Sequence, residues 1–212
     1  MALIDVLQAG PISLLDYHCT ASPADRPFVE LFRQHSITYV RKGSFGCRSR
    51  GRAFELVAGS ILIGYAGDEY VCTHEHHDCA DECLSFRFTP EAVEQVAPKA
   101  NWRVGALPPL PELMVIGEWA QAATNGDSNI GFDELAFVFG WGFASVLGSP
   151  RDRVRKPSSC DRRRAVEAAL WIESHASEEI DLERAARVAG LSSYHFLRVF
   201  SSVLGVTPHQ YL

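Results

Sequence analysis

Between Leu182 and Phe200 the sequence leaves few ways to fold. Ala185, Ala186 and Ala189 put small residues where two short helices can cross at a steep angle. Gly190 supplies a corner residue free to take φ > 0, and Leu191 plugs the space behind it. Asp181 is placed to cap the first helix, Glu183 follows where the helix dipole favours an acid, and Ser192 is placed to cap the second. In that second helix Phe196, Val199 and Phe200 share one face, while Ser193, Tyr194, Leu197 and Arg198 lie on the other. This is helix-turn-helix spacing, in which the early exposed residues of the second helix reach base edges. A plain helical hairpin with a glycine turn meets the same small-residue register. A preceding helix, with Asp161 as its cap and Val166, Ala169 and Leu170 on one face, is predicted to run to about His175.

Upstream the pattern changes. From Ser13 to Phe88 short β-rich runs alternate with glycine turns: Ser36–Val40, then Lys42-Gly43-Ser44, Phe54–Val57, Ala58-Gly59, Ile61–Ile63 and Ala66-Gly67-Asp68. Leu84, Phe86 and Phe88 alternate with Ser85 and Arg87. Such spacing predicts a sandwich or small barrel. Phe45, Phe54 and Tyr65 are placed either to line it or to fill its core. A proline-rich loop at 98–111 leads into a helix from Glu112 to Thr124, with Leu113, Ile116 and Ala120 in register and Asn125-Gly126-Asp127 as its end. The next helix carries Phe132, Leu135, Phe139, Phe143 and Val146 on one stripe and Phe137, Val138, Trp141 and Leu147 off it. Apolar on more than one face, it is predicted to be buried on both sides, against the barrel alone or also against a second subunit. The predicted class is α+β: a barrel or sandwich at 1–98, a helical segment at 99–148, a basic linker at 149–160 and an all-α unit at 161–212.

These residues carry a resemblance. Asp181-Leu182, Ala189-Gly190-Leu191-Ser192, Tyr194 to Phe200 and the closing Gly205-Val206-Thr207-Pro208-His209-Gln210-Tyr211-Leu212 resemble the first helix-turn-helix of the AraC/XylS family of transcription regulators. The stretch Ala58 to Ile63 is similar to the β-turn-β of that family's cupin-like sensor. The resemblance implies a sequence-specific regulator binding double-stranded operator DNA, an effector held in the barrel, and a homodimer formed through the two middle helices. It implies base contacts by Tyr194, Leu197 and Arg198, Arg198 by bidentate pairing with guanine, and phosphate contacts by Ser193 and His195. The family carries a second helix-turn-helix after the long helix that Thr207-Pro208 opens, so the expectation is that this chain alone binds operator DNA weakly.

A second concentration of chemistry lies at Val71–Cys83. If the run from Val71 is a strand, Cys72, His74 and His76 share one face, and Cys79 and Cys83 follow. Four such nitrogen and sulfur donors suffice for tetrahedral zinc. A thiol switch and a plain polar loop fit the same residues, and Cys83 is expected to point with Ser85 and Arg87, away from the Leu84 face. The spacing is not that of a zinc finger. Cys19, Cys47 and Cys160 stand alone in sequence and read as incidental.

The net charge of −6 does not suit a nucleic-acid binder, but it is uneven. From Arg151 onward 10 basic residues face 8 acidic ones, against 10 and 18 before it. No apolar run has membrane length and Met1–Asp5 is no signal peptide, so the cytoplasm is expected, with no membrane partner. Cysteines in that compartment read as thiols or ligands rather than disulfides. A cupin-type metalloenzyme is the main competing reading, since His74-x-His76 fits superficially, and a protein-binding adaptor is another. A catalyst gains nothing from the C-terminal motif, so no catalytic residue is assigned.

Overall fold

Strands come before helices with little mixing. The computed structural model describes residues 2–74, 80–147, 157–178 and 180–211, the side chains of Ala2 and Tyr194 excepted. The strands are β1 (Ala2–Gln8), β2 (Ile12–Cys19), β3 (Val29–Leu31), β4 (His35–Lys42), β5 (Ser44–Ser49), β6 (Arg52–Val57), β7 (Ile61–Gly64), β8 (Glu69–Thr73), β9 (Asp81–Phe88) and β10 (Ala106–Leu107). The helices are α1 (Pro90–Val96), α2 (Pro111–Asn125), α3 (Phe132–Leu147), α4 (Ser159–Ser174), α5 (Leu182–Val188), α6 (Ser193–Leu204) and α7 (Pro208–Tyr211). The strands make a six-stranded sheet, β1-β2-β9-β4-β7-β10, and a four-stranded one, β3-β8-β5-β6. Every pairing is antiparallel.

The alternation along β9 decides which side is which. Leu84, Phe86 and Phe88 face outward, where they meet Leu113 and Ile116 of α2 and Leu135, Phe139 and Phe143 of α3. Cys83 points to the other side, into a smaller core with Val40, Phe45, Cys47, Leu56 and Leu62 between the two sheets. The larger core thus lies outside the barrel, because two amphipathic helices cover the sheet there and leave the interior free for polar side chains. Helix α1, with Thr89 accepting from the Ala92 N–H and Pro90 in its first turn, is an element the sequence reading did not include.

The middle helices differ from expectation on one side. Leu135, Phe139 and Phe143 are buried, but Trp141 is 72% exposed, and Phe137, Val115 and Trp119 are also exposed. Among the described residues nothing covers that second face of α3, because α2 packs beside α3 rather than over it. Helix α4 begins two residues inside the stretch read as linker: Ser158, not Asp161, is the N-cap, and the two form a reciprocal capping box. The basic residues Arg151 to Lys156 lie outside the described residues.

The helical unit α4–α7 rests on the outer side of the four-stranded sheet. Val57 of β6 is part of the helical core, and Arg162 of α4 meets the buried Glu55 of β6 at 2.9 Å. Glu173, near the end of α4, accepts a hydrogen bond from the Gly43 N–H at 3.5 Å, while its Oε2 is buried without a hydrogen-bond partner among the described residues. Burial raises the Glu173 carboxyl above the usual carboxylate range, against the Gly43 bond and the Lys42 charge, which lower it. Tyr39 and Tyr211 face the same place, and burial raises both phenols too. A carboxyl raised on folding contributes stability below its unfolded pKa and loses it as pH rises through the folded one. Glu173→Gln should therefore leave the thermal midpoint unchanged in acid and raise it once pH passes above the carboxylate range. A melting series across pH checks this; a variant that melts lower at neutral pH would show the charge to be useful there.

Candidate nucleic-acid interface and barrel cavity

The corner of the helix-turn-helix is built as its residues require. Asp181 accepts from the Arg184 N–H at 2.6 Å and so caps α5. Gly190 sits at φ +63° with open space where a Cβ would go, so backbone conformation alone asks for glycine. Ala185, Ala186 and Ala189 are buried against Phe196, Val199, Phe200 and Leu204 of α6. Ser192 stands at the N-cap of α6 without making a side-chain bond.

On the opposite side of α6, Arg198 is exposed, and Ser193 and Leu197 are half-buried. Tyr194 lies in the first turn of the helix. His195 is half-buried and close to Asp161 at the start of α4. The Asp161 carboxyl is held below its usual range, first by Ser158 and further by His195 and Arg164. Arg187 of α5 is exposed, whereas Arg184 is engaged by Glu178 at 3.2 Å and lies 5.1 Å over the Trp171 ring. The outer side of α6 is thus open at Arg198 while its inner side is packed.

The second place able to do chemistry is the barrel interior. A cavity of about 560 Å³ lies between the sheets, reached past the loop at 21–28. Its floor is polar: Thr38 and Ser85 share a hydrogen bond at 2.8 Å, Tyr70 donates to Glu30 at 3.1 Å, and Arg87 donates to the Tyr17 hydroxyl. Phe32 stacks on Tyr70 at 4.0 Å, and Phe45 closes one side. Arg87 has no carboxylate among its described partners and is, with Arg26 and Arg33, a cationic group of the lining available to an acidic ligand. Phe54 and Tyr65 line a separate cavity of about 290 Å³, where Arg52 and Arg103 lie over their rings.

The cysteine–histidine run divides. Cys72 and His74 both face the large cavity, as alternation from Val71 requires, although β8 ends at Thr73. His76 and Cys79 lie outside the described residues. Cys83 points inward with Ser85 and Arg87, which is toward the cavity rather than away from it. The donors that come together among the described residues are Cys19, His74 and Asp81, whose ligand atoms all lie within 4.8 Å of one another. Sequence reading set Cys19 aside and did not single out Asp81. The signal was long-range, since Cys19 and Asp81 become neighbours only through the β2–β9 pairing. The contact with Asp81, and then that with Cys19, raises the His74 pKa to about 9. Burial pushes the Cys72 and Cys83 thiols well up, and Cys47 to about 12. Little thiolate is then present at neutral pH, which weighs against a fast thiol switch at these three positions.

Residues 172–212 match the family model of bacterial regulatory helix-turn-helix proteins, AraC family. A comparison with curated proteins returned no match. Among solved structures, the chain is similar to the AraC-like transcriptional activator CuxR, at 12% identity over 94% of this chain and 74% of that one, with a TM-score of 0.51. It is also similar to a conserved protein of unknown function from Streptococcus pyogenes, at 13% identity over 43% of this chain and 77% of that one, with a TM-score of 0.36. A cupin superfamily protein from Desulfitobacterium hafniense aligns at 12% identity over 42% of this chain and 77% of that one, with a TM-score of 0.35. No helix among the described residues is long and apolar enough to cross a membrane. The capped corner and the open recognition helix lie within the matched stretch, so residues 172–212 carry a helix-turn-helix of the AraC family kind.

Proposed function

We propose that this regulator reads operator DNA with the outer side of α6 and changes its behaviour when an effector occupies the barrel cavity. The observation that carries the reading is the exposed Arg198 on a helix whose other side is closed by Phe196, Val199 and Phe200. Tyr194, Leu197 and Arg198 are assigned to base edges, Ser193 and His195 to phosphates. The effector is a small molecule, a metal ion or both: the cavity is large enough for a drug-sized ligand and offers Arg87 to an acidic group. Trp141, Trp119, Val115 and Phe137 make the outer face of α2 and α3 the surface through which two copies pair. A cytoplasmic location and the absence of catalysis follow from the same reading. Residues 1–98, 99–148, 149–160 and 161–212 then act as sensor, cover, tether and reader.

Arg198→Ala tests it. Selection from random duplexes at low salt, where phosphate contacts keep binding measurable, should show the variant losing preference at one base position by about 1–3 kcal/mol. Ser193→Ala should weaken all sequences alike. An equal loss across sequences for Arg198→Ala would make that residue a phosphate contact, and a wild-type chain without sequence preference would overturn the regulator reading.

A further inference from the structure

We propose that Cys19, His74 and Asp81 form a site for one borderline divalent cation of the zinc class, opening on the barrel cavity. The three donors come from three segments. Cys19 ends β2, Asp81 opens β9 directly opposite it, and His74 follows β8 in the other sheet. An ion there joins the two sheets at the mouth of the barrel.

The distances fit. His74 Nε2 lies 3.8 Å from Cys19 Sγ and 3.4 Å from Asp81 Oδ2. A tetrahedral zinc at ordinary bond lengths requires separations of about 3.6 Å for sulfur and nitrogen and about 3.3 Å for nitrogen and oxygen. The burial of the Asp81 carboxylate points the same way. Asp81 is only 5% exposed, and among the described residues its Oδ2 is buried with no hydrogen bond beyond the 3.4 Å contact to His74 Nε2. Buried carboxylate oxygens are normally bonded or coordinated. The other oxygen, Oδ1, is reached by Cys83 Sγ at 3.8 Å, which turns Oδ2 toward His74. One thiolate, one imidazole and one carboxylate suit zinc and its neighbours; calcium and magnesium take oxygen donors. Three protein ligands leave a fourth position for water or for a donor atom of a cavity ligand. On binding, the Cys19 thiol gives up its proton to solvent, and so does His74 Nε2, which ligates only as the neutral imidazole. The site does not depend on the DNA reading, and its test does not involve DNA.

The reduced full chain is titrated with Co²⁺ and then with Zn²⁺. One equivalent of Co²⁺ should give the visible bands of a tetrahedral ion and a sulfur-to-cobalt charge-transfer band, both removed by Zn²⁺. Cys19→Ser should abolish the charge-transfer band. Asp81→Asn should weaken binding by more than the roughly 10–100-fold that loss of an outer-shell partner costs. Cys160→Ser, on the exposed start of α4, should change neither. If Cys19→Ser does not fold, as judged by circular dichroism, His74→Gln and Asp81→Asn decide the matter by affinity. A chain that takes up no cobalt, or a charge-transfer band that survives in Cys19→Ser, overturns the proposal.

Discussion

Phe200→Ala is expected to remove about 3–5 kcal/mol, the usual cost of truncating a fully buried aromatic. Phe200 has no exposed surface, and its ring lies 5.4 Å from Phe196 in the same helix and 5.8 Å from Tyr211 of α7. The helical unit is held mainly by alanines around these rings, so little can move in to fill the space. Total stability of a typical domain is only about 5–15 kcal/mol, which makes this loss large for so small a unit. Hydrogen exchange followed by mass spectrometry should show amides of 158–211 losing protection while those of 35–42 and 81–88 keep theirs. Equal loss in both would mean that barrel and helical unit unfold as one body. No loss in either would mean that the ring contributes little to the packing that presents α6.

Gly43→Ala is the second large effect, and its cause is backbone rather than side chain. Gly43 turns β4 into β5 at φ +71°, and a Cβ there would lie 2.1 Å from the Ala80 carbonyl oxygen and 3.1 Å from the Asp81 Cα. The left-handed conformation costs a residue with a Cβ about 1–2 kcal/mol. The clash adds about 1–3 kcal/mol, because a strand backbone cannot swing aside as a side-chain tip can. A loss of about 2–5 kcal/mol in urea unfolding is expected. The same residue donates to Glu173 of α4 and packs on the start of β9. The variant should therefore also weaken cobalt binding at Asp81, since β9 would shift where that carboxylate is placed. A variant as stable as the parent would show that the turn can relax without strain.

Much of the chain was legible residue by residue. The Ala186–Gly190 corner, the Asp181 cap and the closed face of α6 were all written in local spacing, because helix contacts at i, i+3 and i+4 fall within a few residues. The strands around Ser36–Val40, Phe54–Val57 and Ile61–Ile63 were legible for the same reason, their period being two. The direction of Cys83 was readable, but its meaning was not. Alternation separates it from Leu84, yet only the packing of α2 and α3 on the Leu84 face shows that Cys83 looks into the barrel. In the same way Phe137 and Trp141 were recognisable as apolar, while the uncovered face they make depends on where α2 comes to rest.

The local order of apolar, small and capping residues determined which segments are helix, which are strand, and that α6 ends with one packed and one open face. Tertiary structure alone decided that Cys19 and His74 meet although 55 positions apart, that Asp81 stands beside them, and that Glu173 reaches back to Gly43. The reason is physical. Side-chain periodicity reports which way a residue points within its own element, whereas the pairing of β2 with β9 and the docking of α4 on the barrel are choices made by whole surfaces.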